Sequence, residues 1–258
     1  MGLTRFIGQR LAQFLTRPGR QGQRVATSPP ERLAATLLPG DVLLVEGCTR
    51  ISTAIKYLTQ SSWSHAALYL GELAPASPGA AEPNVLLEAD LKEGVRLVPL
   101  SLYSMQHTRI CRPIGLSPEE IRRVANFALA RLGHQYDLKH IIDLARYLLP
   151  TPPVPTRWRR RLIALGSGDP TRAICSSLIA QAFQAMPYPI LPTVERVHLG
   201  DPTCRDCYTE LMQIRDHTLF TPRDFDVSPY FQIIKPTIEI GFDPHNINWK
   251  PLEPAGAA

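Results

Sequence analysis

The sequence predicts an α+β fold, a small antiparallel sheet packed against helices. Short apolar runs of strand length crowd its first half, separated by Gly, Pro and Asn punctuation at the short spacings that favour an antiparallel meander. From Ser117 onward the apolar residues recur at helical spacing instead. The strand-like runs therefore precede the helical ones, an order that disfavours an alternating parallel sheet.

The 258 residues fall into three parts: an arm and linker over 1–30, a domain over 31–243 and a proline-rich tail over 244–258. The arm holds Arg5, Arg10, Arg17, Arg20 and Arg24 and no acidic residue, and Leu3, Ile7, Leu11, Phe14 and Leu15 recur at helical spacing. Such a segment suits an anionic membrane surface through residues 1–20. It equally fits an organellar transit peptide or a short helix packed on the domain. No unbroken apolar core follows the first arginine, so it is not a Sec signal. Phe6 stands where myristoylation wants Ser or Thr. The expected location is the cytoplasm, either free or peripheral to a membrane.

Within the domain a short helical lead-in reaches the turn Pro39-Gly40-Asp41, and Val42–Val45 reads as a buried strand. Four more strands are expected over His65–Leu70, Val85–Ala89, Val95–Leu100 and Arg109–Pro113. Ser117-Pro118-Glu119-Glu120 combines an N-cap serine, proline at the first helical position and a capping-box glutamate. Ile121, Val124, Ala125, Ala128 and Leu132 continue that helix, and Gly133 closes it. A second helix is expected over Asp137–Leu149 and a third from Cys175 to about Ala185. The tail reads as extended or disordered chain.

Composition narrows the function. The chain is 44% hydrophobic and 20% charged, as soluble globular proteins are, and no apolar run approaches the roughly 18 residues of a membrane span. A net charge of +5 favours anionic partners but falls short of a dedicated nucleic-acid binder. Five cysteines without a regular framework do not describe a disulfide-stapled module. Cys204 and Cys207 form a lone CxxC, which reads as a surface loop because zinc needs a second ligand pair. Arg157-Trp158-Arg159-Arg160-Arg161 reads as a solvated face, or as a seat for phosphates or lipid headgroups. No phosphate loop, dinucleotide fingerprint or zinc-protease motif is present.

Three residues carry the chemistry. Cys175 follows the polar, glycine-bearing loop 166–171 and opens a helix, where the positive end of the helix dipole favours a thiolate. The N–H groups at such a helix start also suit a developing oxyanion. The alternative is a buried structural cysteine. His65 begins a strand after Ser61-Ser62-Trp63-Ser64 and is the natural base, or else a packing histidine. Glu88 sits among Leu86, Leu87 and Ala89, where an isolated buried charge is expensive, and it is assigned to orienting the imidazole.

The ordered motifs LLPGDVLL, SHAALYLG, LLEAD…GV, GHQYD, ICSSLIAQAF and TPRDF resemble the YiiX/YaeF-like permuted papain-like cysteine hydrolases, the circularly permuted branch of the NlpC/P60 superfamily. The likeness spans roughly Leu37 to Lys235. It implies a papain-like fold with the nucleophile at a helix N-terminus: Cys175 as nucleophile, His65 as base and Glu88 as the third member. Tyr136 would line the substrate groove, and Ser176 would contact substrate beside the nucleophile. Members of that family often carry an acidic residue two positions after the cysteine; this chain has Ser177, so substrate preference does not carry over with the resemblance. The implied chemistry is cleavage of an amide or ester bond through a thioester, with no metal or organic cofactor. An amidase or peptidase is the first expectation. The alternatives are a lipid-directed thiol acyltransferase or esterase, and a non-catalytic membrane-surface module.

Overall fold

The computed structural model describes residue 26 and residues 28–90, 93–135, 174–198 and 208–246. The expected helix over Asp137–Leu149, the arginine cluster 157–161, Cys204, Cys207, residues 1–25 of the arm and 247–258 of the tail lie outside them.

The chain enters through helix α1 (Pro30–Thr36), whose Leu33 is buried, and turns at Gly40 into strand β1 (Val42–Val45). All four residues of β1 are fully buried, as an unbroken apolar run predicts for a central strand. Helix α2 (Arg50–Thr59) follows, capped by the Thr49 side chain, which accepts from the Ser52 N–H, and ended by Gln60 in a left-handed conformation. Strands β2 (His65–Tyr69), β3 (Leu86–Asp90) and β4 (Gly94–Val98) form an antiparallel meander running outward from β1. Strand β5 (Thr108–Pro113) returns to the free edge of β1, and β8 (Phe231–Ile234) pairs outside it. The six-stranded order is β4-β3-β2-β1-β5-β8, antiparallel at every pairing.

One face of the sheet, bearing Val42, Leu44, Ala66, Leu68, Leu87 and Ala89, packs against helices α3 (Pro118–Leu129) and α4 (Ile174–Gln184). Val124, Ala125 and Ala128 of α3 and Leu178, Ile179, Ala182 and Phe183 of α4 fill this layer. The opposite face, with Leu43, Val45, Ala67 and Leu86, is covered by Leu33 and Leu37 from the α1 segment and by Tyr103. The capping box of α3 forms as its sequence predicts: Ser117 accepts from the Glu120 N–H, and the Glu120 carboxylate accepts from the Ser117 N–H.

The five expected strands are present within one or two residues of their predicted ends. Several elements were not expected. One is α2, although Ile51, Ala54, Ile55 and Leu58 recur there at helical spacing behind the N-cap Thr49. Strand β8 has only four residues, and a two-stranded ribbon of β6 (Thr193–His198) and β7 (Tyr208–Gln213) stands apart from the main sheet. Helices α5 (Pro222–Asp226) and α6 (Pro236–Glu239) flank β8, and Pro244–Asn246 form a short 3-10 turn where an extended or disordered tail was expected.

Asp41 locks the α1–β1 corner. Its buried carboxylate accepts from Arg112 Nε at 2.9 Å, from a terminal Arg112 nitrogen at 2.8 Å and from the Leu38 N–H at 2.8 Å. Asp41→Ala leaves that guanidinium and amide without their acceptor, so chemical denaturation is expected to show a loss of about 3 kcal/mol.

Candidate active site

The sheet margin around His65 is built by the chain on either side of it. His65 opens β2 opposite Val45, and the Ser64 N–H donates to the Val45 carbonyl at 3.1 Å. The Ser64 hydroxyl accepts from the Gly47 N–H at 2.9 Å, which ties the end of β1 to the start of β2. A side chain at position 47 would press on the Ser52 hydroxyl and meet the Ser64 hydroxyl at 2.9 Å. Gly47→Ala is therefore expected to cost about 1–3 kcal/mol and to shift the His65 ring resonances in an NMR spectrum. Trp63 is buried and donates from its indole nitrogen to Asp226 at 3.0 Å, with the Arg109 guanidinium 4.9 Å above its ring. That contact joins the segment before His65 to Asp226, the residue just after the TPRDF motif and 163 residues away in sequence.

Glu88 reaches the same place from mid-β3. Leu68 faces Leu87 and Tyr69 faces Leu86, a register that sets His65 and Glu88 diagonally on one face. His65 Nε2 lies 2.8 Å from Glu88 Oε2. The glutamate is only 2% exposed, and its second oxygen accepts from Arg96 Nε at 2.9 Å and from a terminal Arg96 nitrogen at 2.8 Å. Arg96 is its direct cross-strand neighbour on β4. The Tyr103 hydroxyl, from the 3-10 turn Leu100–Tyr103, donates to Glu88 Oε2 beside the imidazole.

The sulfur arrives from the helix layer. Cys175 is buried in the first turn of α4, and its side chain hydrogen-bonds His65. Cys175, His65 and Glu88, set 110 and 23 residues apart along the chain (175 − 65; 88 − 65), thus form one continuous hydrogen-bonded line.

The electrostatics follow from these contacts. Burial alone would push the His65 pKa down, but the charges and hydrogen bonds of Cys175 and Glu88 outweigh it and hold the ring well above its ordinary value. Burial alone would raise Glu88. The hydrogen bond and charge of His65, with the donors on Tyr103 and Arg96, bring its carboxyl down to about 2 instead. Burial and the Glu88 charge both raise the Tyr103 phenol, which stays protonated and donates.

The remaining predicted residues divide. The fully buried Ser176 donates its hydroxyl to the Phe220 carbonyl at 2.7 Å, which ties α4 to the segment before the TPRDF motif. Tyr136 lies outside the described residues. Arg96 and Tyr103 were not singled out in the sequence. The hairpin turn at Glu93-Gly94 was the signal that could have placed Arg96 across from Glu88, whereas nothing local marks Tyr103 as its partner. Among the described residues no group of three or more His, Cys, Asp or Glu is arranged to hold a metal ion, and no helix is long and apolar enough to cross a membrane.

Comparison with known proteins adds the following. Residues 36–147 match the family described as permuted papain-like amidase enzymes, YaeF/YiiX, C92 family. This stretch contains His65 and Glu88 and ends before Cys175. No curated protein matches the chain. A solved structure described as the metalloprotein yiiX from Escherichia coli O157:H7 is 16% identical, with 76% of this chain and 96% of that chain covered and a TM-score of 0.43.

Proposed function

We propose that this chain is a permuted papain-like cysteine amidase or peptidase, the kind of enzyme that the family matched over residues 36–147 describes, working through a thioester on Cys175. The observation that supports this reading best is the unbroken line from the Cys175 sulfur through the His65 ring to the Glu88 carboxylate.

His65 takes the thiol proton, giving a thiolate–imidazolium pair. The sulfur attacks the substrate carbonyl carbon, a C–S bond forms, and the carbonyl electron pair moves onto oxygen. Backbone N–H groups in the first turn of α4 are suited to receive that oxyanion, since the opening N–H groups of a helix have no intrahelical acceptor. As the tetrahedral species collapses, the C–N bond breaks and the imidazolium gives its proton to the departing amine. Neutral His65 then removes a proton from water, whose oxygen attacks the thioester. The C–S bond breaks and the acid product leaves, regenerating the pair. Glu88 holds the ring in the tautomer and orientation these steps need and offsets the imidazolium charge.

Peptide amides, simple esters and acyl-lipid vesicles test the reading side by side. Release of amine from the peptide amides by wild type, absent in Cys175→Ala, is expected. Turnover confined to esters or lipid acyl groups would replace the amidase with a lipid-directed thiol esterase. No Cys175-dependent turnover of any of the three would overturn the proposal.

A further inference from the structure

Glu88 is held by more than the imidazole it faces. Each of its oxygens is shared by two donors: Oε1 by the Nε and a terminal nitrogen of Arg96, and Oε2 by His65 and the Tyr103 hydroxyl. Two donors per oxygen fill the acceptor sites of a carboxylate and fix its plane. The arrangement is also electrically graded. Arg96 is itself flanked by Glu93 at 2.9 Å and by Asp90 at 3.9 Å, while Cys175 faces His65 from α4.

We propose that Arg96 and Tyr103 are positioning residues of this site, clamping Glu88 so that its carboxylate orients the His65 ring without drawing the ring proton to itself. This rests on the Cys175–His65–Glu88 reading above. The physical case is a competition for one charge. A buried carboxylate facing only an imidazolium attracts it strongly and makes it a poor acid. A guanidinium on the far oxygen meets part of that charge, so the imidazolium can still protonate a departing amine. The clamp also removes the torsional freedom by which the carboxylate would swing and misalign the ring, and small misplacements at such a site are costly.

The rate of Cys175 alkylation by iodoacetamide, resolved by peptide mass spectrometry and followed against pH, reports two steps in wild type. One marks formation of the thiolate–imidazolium pair, and the alkaline one marks loss of the His65 proton. Arg96→Gln is expected to move the alkaline step upward by about one pH unit. The same change is expected to lower kcat on the amide substrate about 10–100-fold with KM little changed. Arg96→Lys restores the charge without the fork, so the step returns toward wild type while kcat recovers only in part. Tyr103→Phe keeps the ring and removes one donor, giving a smaller shift in the same direction. Far-UV circular dichroism confirms folding, and Arg96→Lys and Tyr103→Phe carry the test if Arg96→Gln does not fold. A fall in kcat with the alkaline step in place would make Arg96 merely structural and overturn the inference, as would no change in either. A wild-type profile with no alkaline step, or one unaffected by His65→Ala, would instead defeat the underlying cysteine-hydrolase reading.

Discussion

Cys175→Ala is expected to abolish turnover, by about 10^4-fold or more, while leaving the fold in place. The size of the effect follows from the chemistry: without sulfur there is no thioester, and a single difficult displacement replaces two easier ones. The stability effect is small by comparison, because alanine keeps the methylene and Cys175 is the outermost buried position of a helix held by Leu178, Ile179, Ala182 and Phe183 deeper in the layer. Activity assays on the amide substrate, set beside thermal melts, separate the two. Comparable losses of activity and of melting temperature would mean that Cys175 is a packing residue.

Glu88→Gln carries the second large effect, and it falls on stability and activity together. The glutamate is 2% exposed and is held between one guanidinium, one imidazole and one phenol. Its folded pKa is about 2 against an ordinary 4.5, so ionised Glu88 stabilises the fold above pH 4.5, and that contribution is lost as pH falls from 4.5 toward 2. The difference amounts to about 3 kcal/mol. His65 behaves in the opposite sense. Its raised folded pKa stabilises fully below the unfolded value of 6.5, and the contribution fades as pH rises through the folded value. The two are faces of one interaction and do not add. Urea melts across pH 2–9 are expected to show wild-type stability greatest between about pH 4.5 and 6.5 from this pair. Glu88→Gln should flatten the acid side and lose about 10^3-fold in turnover. An unchanged acid limb in the variant would mean that Glu88 is not the buried ion of this site.

Much of this was legible in the sequence for a definite reason. Val42–Val45 had to be a central strand because an unbroken apolar run tolerates burial on both faces, and it lies between β2 and β5 with no exposed residue. The α3 start was legible because the capping box is a local motif whose partners are three residues apart. Glu88 was legible through its misfit, a carboxylate in an apolar strand. What stayed hidden is non-local. Tyr103 is known as a Glu88 partner only once the 3-10 turn after β4 folds back beneath the sheet. Trp63 gives no hint in sequence that Asp226 is its acceptor. Nothing in the sequence pairs the Ser176 hydroxyl with the Phe220 carbonyl, 44 residues away. Helix α2 was legible too and was passed over: Ile51, Ala54, Ile55 and Leu58 recur at i, i+3, i+4 and i+7 behind the N-cap Thr49.

The most direct test of the central claim is the site-resolved rate of Cys175 alkylation by iodoacetamide at pH 6, in folded wild type, folded His65→Ala and urea-denatured protein. A thiolate held by the imidazolium predicts labelling about tenfold or more faster in folded wild type than in the denatured chain, with the advantage lost in His65→Ala. Folded Cys175 reacting no faster than the denatured thiol, and equally with or without the imidazole, would contradict the account.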